Sequence, residues 1–154
     1  MANDVVAPTT TGLTIQLYVP IDDAPAAREH YATLFGREPD FQPHDDFFEW
    51  APIVGQECWV QVAGHRDPAP LTNRIRFRVR DLLAAVAYLD DRGIAHSQPS
   101  QLPGVVAFVD FTDPWHNRLG YYQDLAPSGQ QPEHTGTSVN DAAQFTDFQE
   151  SPGR

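Results

Sequence analysis

Arginine alternates with apolar residues from Arg74 to Val79, where Arg74, Arg76 and Arg78 interleave with Ile75, Phe77 and Val79. The segment reads as a strand. Successive strand side chains point to opposite faces, so the alternation sends all three guanidinium groups one way. A guanidinium is a planar fork of donors that matches a carboxylate, a phosphate or an enolate-like oxyanion. Two further polar faces have the same period. Thr14, Gln16 and Tyr18 alternate with Ile15, Leu17 and Val19, and Arg118, Gly120 and Tyr122 share one side of 118–123. Tyrosine rings add stacking area for a flat ligand. The competing use of the arginines is cross-strand pairing with Glu49, Glu57 or Asp110, and the sequence leaves both uses open. Arg80 reads as a solvated strand end.

The histidines and the cysteine carry less chemistry. His116 lies in Asp-Pro-Trp-His-Asn, a turn in which it is expected to adopt the left-handed conformation. A general acid or base role is the alternative, since imidazole titrates near neutrality. Trp115 beside it reads as a rim or interface residue. His44 and His65 read as surface residues. His44, Asp45 and Asp46 are adjacent and converge poorly on one ion. His30 is placed at the packing edge of a helix. Cys58 sits in an apolar strand and reads as a small buried hydrophobe with no activating neighbour. No G-x-S-x-G elbow, Walker loop, H-E-x-x-H or G-x-G-x-x-G before a helix is present.

The elements that must position these residues follow from pattern and punctuation. After the strand Leu13–Val19, Asp22 or Asp23 can cap a helix. Pro25 suits its first turn and Gly36 its end, with Ala27, Tyr31, Leu34 and Phe35 as its apolar stripe. Short strands are expected near 38–44, 46–52 and 57–63, with Gly55 in the last turn. The linker His65–Asn73 carries two prolines. After the strand Arg74–Val79, Asp81 can cap a second helix, with a stripe of Leu82, Ala85, Val86 and Leu89 and an end at Gly93. Strands near 95–98, 104–111 and 118–123 follow, separated by Pro103-Gly104 and Asp113-Pro114. The chain divides into a loose arm 1–11, a globular part 12–123 made of module 12–64 and module 73–123, and a polar tail 124–154. The tail holds one short helical stretch, Asn140–Phe148, and is expected to be mobile.

With 154 residues and 41% hydrophobic residues, the chain can bury a core. It has no run of eighteen apolar residues, so no membrane partner is expected, and no signal-like start. The formal charge of −11 argues against nucleic acid, and the arginine strand is too small to override it. Cys58 is the single cysteine, which fits a reducing, cytoplasmic setting. All basic residues are arginine.

The halves repeat. A shift of 58 residues lays Gln16 on Arg74, Leu17 on Ile75 and Asp23 on Asp81. Each half is strand–helix–strand–strand–strand, and neither buries its sheet alone, so the halves are expected to pair into one core. The stretches QLYVPIDDAPAAREHYATLFG, RIRFRVRDLLAAVAYLDDRGI and FTDPWHNRLGYYQ resemble the vicinal oxygen chelate superfamily, that is, glyoxalase and bleomycin-resistance-like proteins. The resemblance covers about 13–123. It implies an α+β fold of two βαβββ modules pairing into one curled mixed sheet around a ligand cavity, in many members a dimer.

The resemblance also implies a divalent metal in that cavity, with ligands from the first and last strand of each module. Those positions fall on Gln16, on Arg74, on Gly120, and on Glu57, Trp59 or Gln61, where the register stays open. Gly120 has no side chain and Arg74 is a permanent cation, so no metal and no other cofactor is expected. The expected function is metal-independent binding of a small anionic or polar aromatic molecule, by sequestration as the resemblance suggests. Ligand contacts are assigned to Gln16, Tyr18, Trp59, Arg74, Arg76, Gly120 and Tyr122. The alternative is a cofactorless lyase or isomerase in which Arg74 stabilises an oxyanion and Tyr18, Tyr122, Glu57 or His116 moves a proton. A symmetric homodimer is expected.

Overall fold

A computed structural model describes residues 5–126; the expected tail helix Asn140–Phe148 lies outside them, as does the start of the N-terminal arm. The chain divides into two compact units, with the boundary between Pro68 and Ala69, inside the proline-containing linker.

In the first unit, β1 (Leu13–Pro20) leads through a single 3-10 turn (Ile21–Asp23) into α1 (Ala24–Phe35). β2 (Phe41–His44), β3 (Phe47–Trp50) and β4 (Cys58–His65) follow, in the sheet order β1-β4-β3-β2. β1 and β4 are parallel, a pairing that needs a crossover, and α1 begins that return path. Pro25 sits in the first turn of α1, and Gly36 ends it at φ 71°, a conformation glycine adopts without strain. Asp23 occupies the N-cap position, but its side chain does not make the capping bond expected of it. The 3-10 turn runs into the helix there and gives Asp23 a near-helical backbone (φ −94°, ψ 4°) instead of the extended one that aims a capping side chain.

α1 buries Ala24, Ala27, Tyr31 and Leu34 against one face of this sheet. That face presents Leu17 and Val19 of β1, Val60 and Val62 of β4, and Phe48 and Trp50 of β3, all essentially inaccessible. The rings of Tyr31 and Phe35 lie 6.2 and 5.5 Å from that of Trp50, whose indole N–H donates to Arg37 O at 3.0 Å. The bond lets a large amphipathic ring be buried without stranding its donor.

The second unit repeats the plan with β5 (Arg74–Arg78), α2 (Leu82–Asp91), β6 (Ser100–Leu102), β7 (Val106–Thr112) and β8 (Arg118–Asp124), in the order β5-β8-β7-β6. Here the expected cap forms: Asp81 Oδ1 accepts from Ala84 N at 3.1 Å, from an extended backbone. Leu82 and Leu89 of α2 are buried, with Val109, Phe111 and Leu119 on the sheet. The 58-residue offset read from the sequence separates the ends of β1 and β5 and the starts of α1 and α2. The fold is α+β, two βαβββ modules each with its own four-stranded sheet.

Three expectations are corrected. The strand placed at 95–98 lies at Ser100–Leu102, although Ser97 N still donates to Asp110 O at 2.8 Å. Pro99 separates the two, since it has no N–H for a continuous ladder. Val79 falls just past the end of β5. Cys58 is half-buried rather than buried, because it begins β4 instead of lying within it.

Candidate functional site

The face of the second sheet turned away from the row Ile75–Leu119–Phe111 carries three polar rows. Cross-strand register places Arg74 beside Arg118 and Thr112, Arg76 beside Gly120 and Asp110, and Arg78 beside Tyr122 and Phe108. The alternation in Arg74–Arg78 therefore does send its guanidinium groups to one face.

Asp110 is the focus of these rows. Its carboxylate accepts from Arg76 Nε at 3.0 Å and from Arg76 Nη2 at 3.1 Å, and Arg74 Nη1 stands 3.4 Å away. The Asp110 and Arg74 side chains are only 5% and 11% exposed, and that of Arg76 23%. Among Glu49, Glu57 and Asp110, the partner of these arginines is Asp110. The Arg76 guanidinium also lies 4.4 Å over the centroid of Phe108, a cation–π contact that fixes its plane. Gly120 is what lets Arg76 cross to Asp110: a Cβ there would meet Val109 O at 2.7 Å, Asp110 Oδ1 at 2.8 Å and Arg76 Cγ at 3.1 Å. Four arginines (Arg74, Arg76, Arg78 and Arg118) and two aspartates (Asp110 and Asp124) stand on this face, a formal excess of two positive charges.

The first sheet carries a different row. Gln16, Gln61 and Glu49 are in register across β1, β4 and β3, which resolves the choice among Glu57, Trp59 and Gln61 in favour of Gln61 as the neighbour of Gln16. Tyr18 Oη donates to Gln16 Oε1 at 2.7 Å, Gln16 Nε2 donates to Gln61 Oε1 at 3.0 Å, and Gln61 Nε2 donates to Glu49 Oε1. The ring of Tyr18 lies 5.2 Å from that of His65. Trp59 stands beside Thr14 and donates its indole N–H to Glu57 Oε2 at 3.2 Å. Glu57 itself is exposed just before β4.

The remaining candidates are placed as follows. His116 is exposed, with φ 71°, the left-handed turn residue expected. The turn around it is held by Asp113, whose Oδ1 accepts from Trp115 N and Asn117 N, both at 2.9 Å. Asn117 Nδ2 donates to Asp113 Oδ2 at 2.7 Å, and Asn117 Oδ1 accepts from Leu71 N at 2.7 Å. Both side chains are buried, so Asp-Pro-Trp-His-Asn is a device for setting the start of β8. Tyr122 lies on the arginine face, whereas Tyr121 points to the helix side, where burial first and Tyr88 second push its phenol up to about 12. A groove of about 340 Å³ lined by Leu82, Leu83, Ala107 and Leu125 lies at the start of α2, and none of the arginines lines it.

Two participants escaped sequence reading. Phe108 alternates with Val109 exactly as Asp110 does, so its shared face was readable from period 2, but nothing local says that a guanidinium would cover it. His96 bridges Ser97 O and Asp90 Oδ1, both at 2.7 Å. Burial lowers its pKa, but those two partners outweigh burial and hold it above the ordinary histidine value.

A divalent metal at the positions implied by the resemblance does not fit these residues. Gly120 supplies no donor, Arg74 and Arg76 bring permanent cations, and Asp110 is engaged by both. Among the described residues no three His, Cys, Asp or Glu side chains converge to hold an ion. No helix among them is long and apolar enough to cross a membrane.

No family model matches the sequence, and no curated protein matches it. Solved structures do. A glyoxalase / bleomycin resistance protein from Catenulispora acidiphila is 22% identical, with a TM-score of 0.63 over 74% of this chain and 98% of that one. TnmS3, an antibiotic binding protein from Streptomyces sp. CB03234, is 24% identical, with a TM-score of 0.58 over 78% of this chain and 99% of that one. A lactoylglutathione lyase from Agrobacterium tumefaciens is 16% identical, with a TM-score of 0.59 over 76% and 96%. The two βαβββ modules, the glycine-ended helices and the Asp-Pro-Trp-His-Asn turn thus form the fold of the glyoxalase / bleomycin resistance / dioxygenase superfamily, and this chain has that fold.

Proposed function

We propose that the protein is a metal-independent binder of a small anionic, polar or aromatic organic molecule, held on the arginine face of the second sheet. The observation that carries this reading is the cluster of Arg74 and Arg76 on the single carboxylate of Asp110, on a face with two positive charges in excess. One carboxylate balances one of the two guanidinium charges, so the face presents a net positive field that favours an anionic group. Asp110 and Phe108 fix the plane of Arg76 in advance, which lowers the ordering cost of binding. Tyr122, in register with Phe108, adds ring area for a flat ligand. TnmS3 has this fold and is named for antibiotic binding, and binding of a small molecule suits a site whose groups position rather than react. The working form is a homodimer, which would cover apolar surface such as Ile53 and Val54.

Calorimetric titration of the full chain with benzoate and salicylate tests the reading. Binding is expected, and Arg76→Met or Arg74→Met should weaken it by about 1.5–3 kcal/mol, the scale of a hydrogen bond to a charged group. Failure of both anions to bind, or binding indifferent to both substitutions, would overturn it. Affinity should also survive chelation with EDTA. A requirement for a metal would remove the metal-independent part.

A further inference from the structure

A second concave surface lies on the side of the second sheet turned away from the arginines. Ala107 and Gln123 are cross-strand partners, one step in register from Phe108 and Tyr122, so they face the helix side. With Leu82, Leu83, Pro99 and Leu125 they line the groove of about 340 Å³ beside the start of α2. Gln123 Oε1 accepts from Leu82 N at 2.8 Å, which ties the helix start to the groove floor. Leu83 is 73% exposed and Leu125 37%. Two exposed leucines on one apolar groove differ from scattered surface leucines, because a single apolar body can cover both.

The chain itself leads into this groove. After β8, Leu125 N and Ala126 N donate to Val105 O at 2.8 and 3.3 Å. Both bonds turn the chain toward the β6–β7 connection, and Leu125 already belongs to the groove wall. Residues 127–154 follow from that point, and their large apolar side chains are Val139, Phe145 and Phe148 alone. Within the expected helical stretch Asn140–Phe148, Ala142, Phe145 and Phe148 recur at every third position, and Asp141 followed by Gln144 is a helix-start pattern. A cavity of about 150 Å³ suffices for one benzene ring. The groove, at about 340 Å³, has room for two.

We infer that this groove is the docking site of the chain's own segment 140–148, with the rings of Phe145 and Phe148 seated between Leu83 and Leu125. A tail too polar to fold alone is held through these two rings. Covalent attachment favours the contact. A short flexible linker gives an effective concentration on the order of millimolar, so an interaction too weak to hold a free peptide still closes within one chain. The proposed anion site lies on the other face of the sheet and is not required.

Chymotrypsin cuts after phenylalanine where it can reach the chain. Its rate at Phe145 and Phe148 of the full chain, located by intact mass, therefore reads the docked fraction. A segment docked roughly nine-tenths of the time is cut about tenfold more slowly than a released one. Leu83→Asp should release it and raise the rate about tenfold. Leu83 is the second residue of α2, where an acidic side chain suits the helix dipole, so the substitution does not weaken the helix. Leu83→Met keeps the apolar contact and should leave the rate within about twofold of wild type. Nuclear Overhauser contacts from the Phe145 and Phe148 rings to the Leu83 and Leu125 methyl groups should appear in wild type and vanish when Leu83 is replaced by aspartate. Equal cleavage rates in all three proteins, or no ring–methyl contact in wild type, would overturn the inference. So would contacts seen only between differently isotope-labelled copies, since the occupant would then be the tail of a second molecule.

Discussion

The two sheets each carry a row of three residues across their first, last and third strands: Gln16–Gln61–Glu49 in one and Arg76–Gly120–Asp110 in the other. In both, the outer members stand two strand spacings apart, roughly 9.5 Å. The first sheet fills the middle with an amide that relays hydrogen bonds from neighbour to neighbour. The second leaves the middle bare, and the long arginine side chain crosses the trough to reach the aspartate directly. The size of the central residue therefore decides whether the row is a hydrogen-bond relay or a direct ion pair. It also decides the cost of damage. The relay is partly open to water, whereas Asp110 is 5% exposed and faces two guanidinium groups.

The largest separation between the two rows should come from their acids. Asp110→Asn leaves Arg74 and Arg76 without their carboxylate and should cost about 3–5 kcal/mol of stability in urea unfolding, as when one partner of a buried pair is removed. Glu49→Gln should cost less than about 1 kcal/mol, because water can replace what it loses. Equal losses would mean that burial does not distinguish the rows.

Next come the central residues. Gly120→Ala drives a methyl group to within 2.7 Å of Val109 O and against Asp110 and Arg76, so it should cost roughly 1–3 kcal/mol. Gln61→Ala breaks the relay and should cost about 0.5–1.5 kcal/mol, the net worth of a hydrogen bond. Thermal melts of the pair decide whether the bare position is required.

Arg74→Met is a finer test. Asp110 keeps both bonds from Arg76, so the empty protein should lose only about 1 kcal/mol or less, a smaller loss than that of Asp110→Asn. A loss of several kcal/mol would show that Arg74 is the principal partner of Asp110 and would weaken the case for a ligand anion.

The smallest effect is a dependence on pH confined to the second unit. His96 has a folded pKa above its ordinary value, so its bridge to Asp90 and Ser97 is fully stabilising below about 6.5, the unfolded value, and fades as pH rises through the folded pKa. Wild type should therefore lose a few tenths to about 1 kcal/mol between pH 6 and 8 relative to His96→Leu, as for a half-exposed pair. Identical pH profiles in chemical denaturation would remove the bridge as a source of stability.

The sequence by itself determined what local geometry governs. Period-2 alternation assigned Gln16, Tyr18, Arg74, Arg76, Gly120 and Tyr122 to faces, because the pleat leaves a side chain only two directions. Gly36, Gly93 and Asp81 marked helix ends, because each satisfies a backbone requirement within its own turn. His116 was legible as a left-handed turn residue for the same reason. Tertiary structure decided what depends on register between distant segments. It chose Asp110 over Glu49 and Glu57 as the partner of the arginines, put Gln61 rather than Trp59 beside Gln16, and laid Phe108 beneath Arg76. These contacts join residues 30 or more positions apart in the chain, and a strand can slide by two residues without changing which face any side chain occupies, so the pattern that fixes the faces is silent about the neighbours.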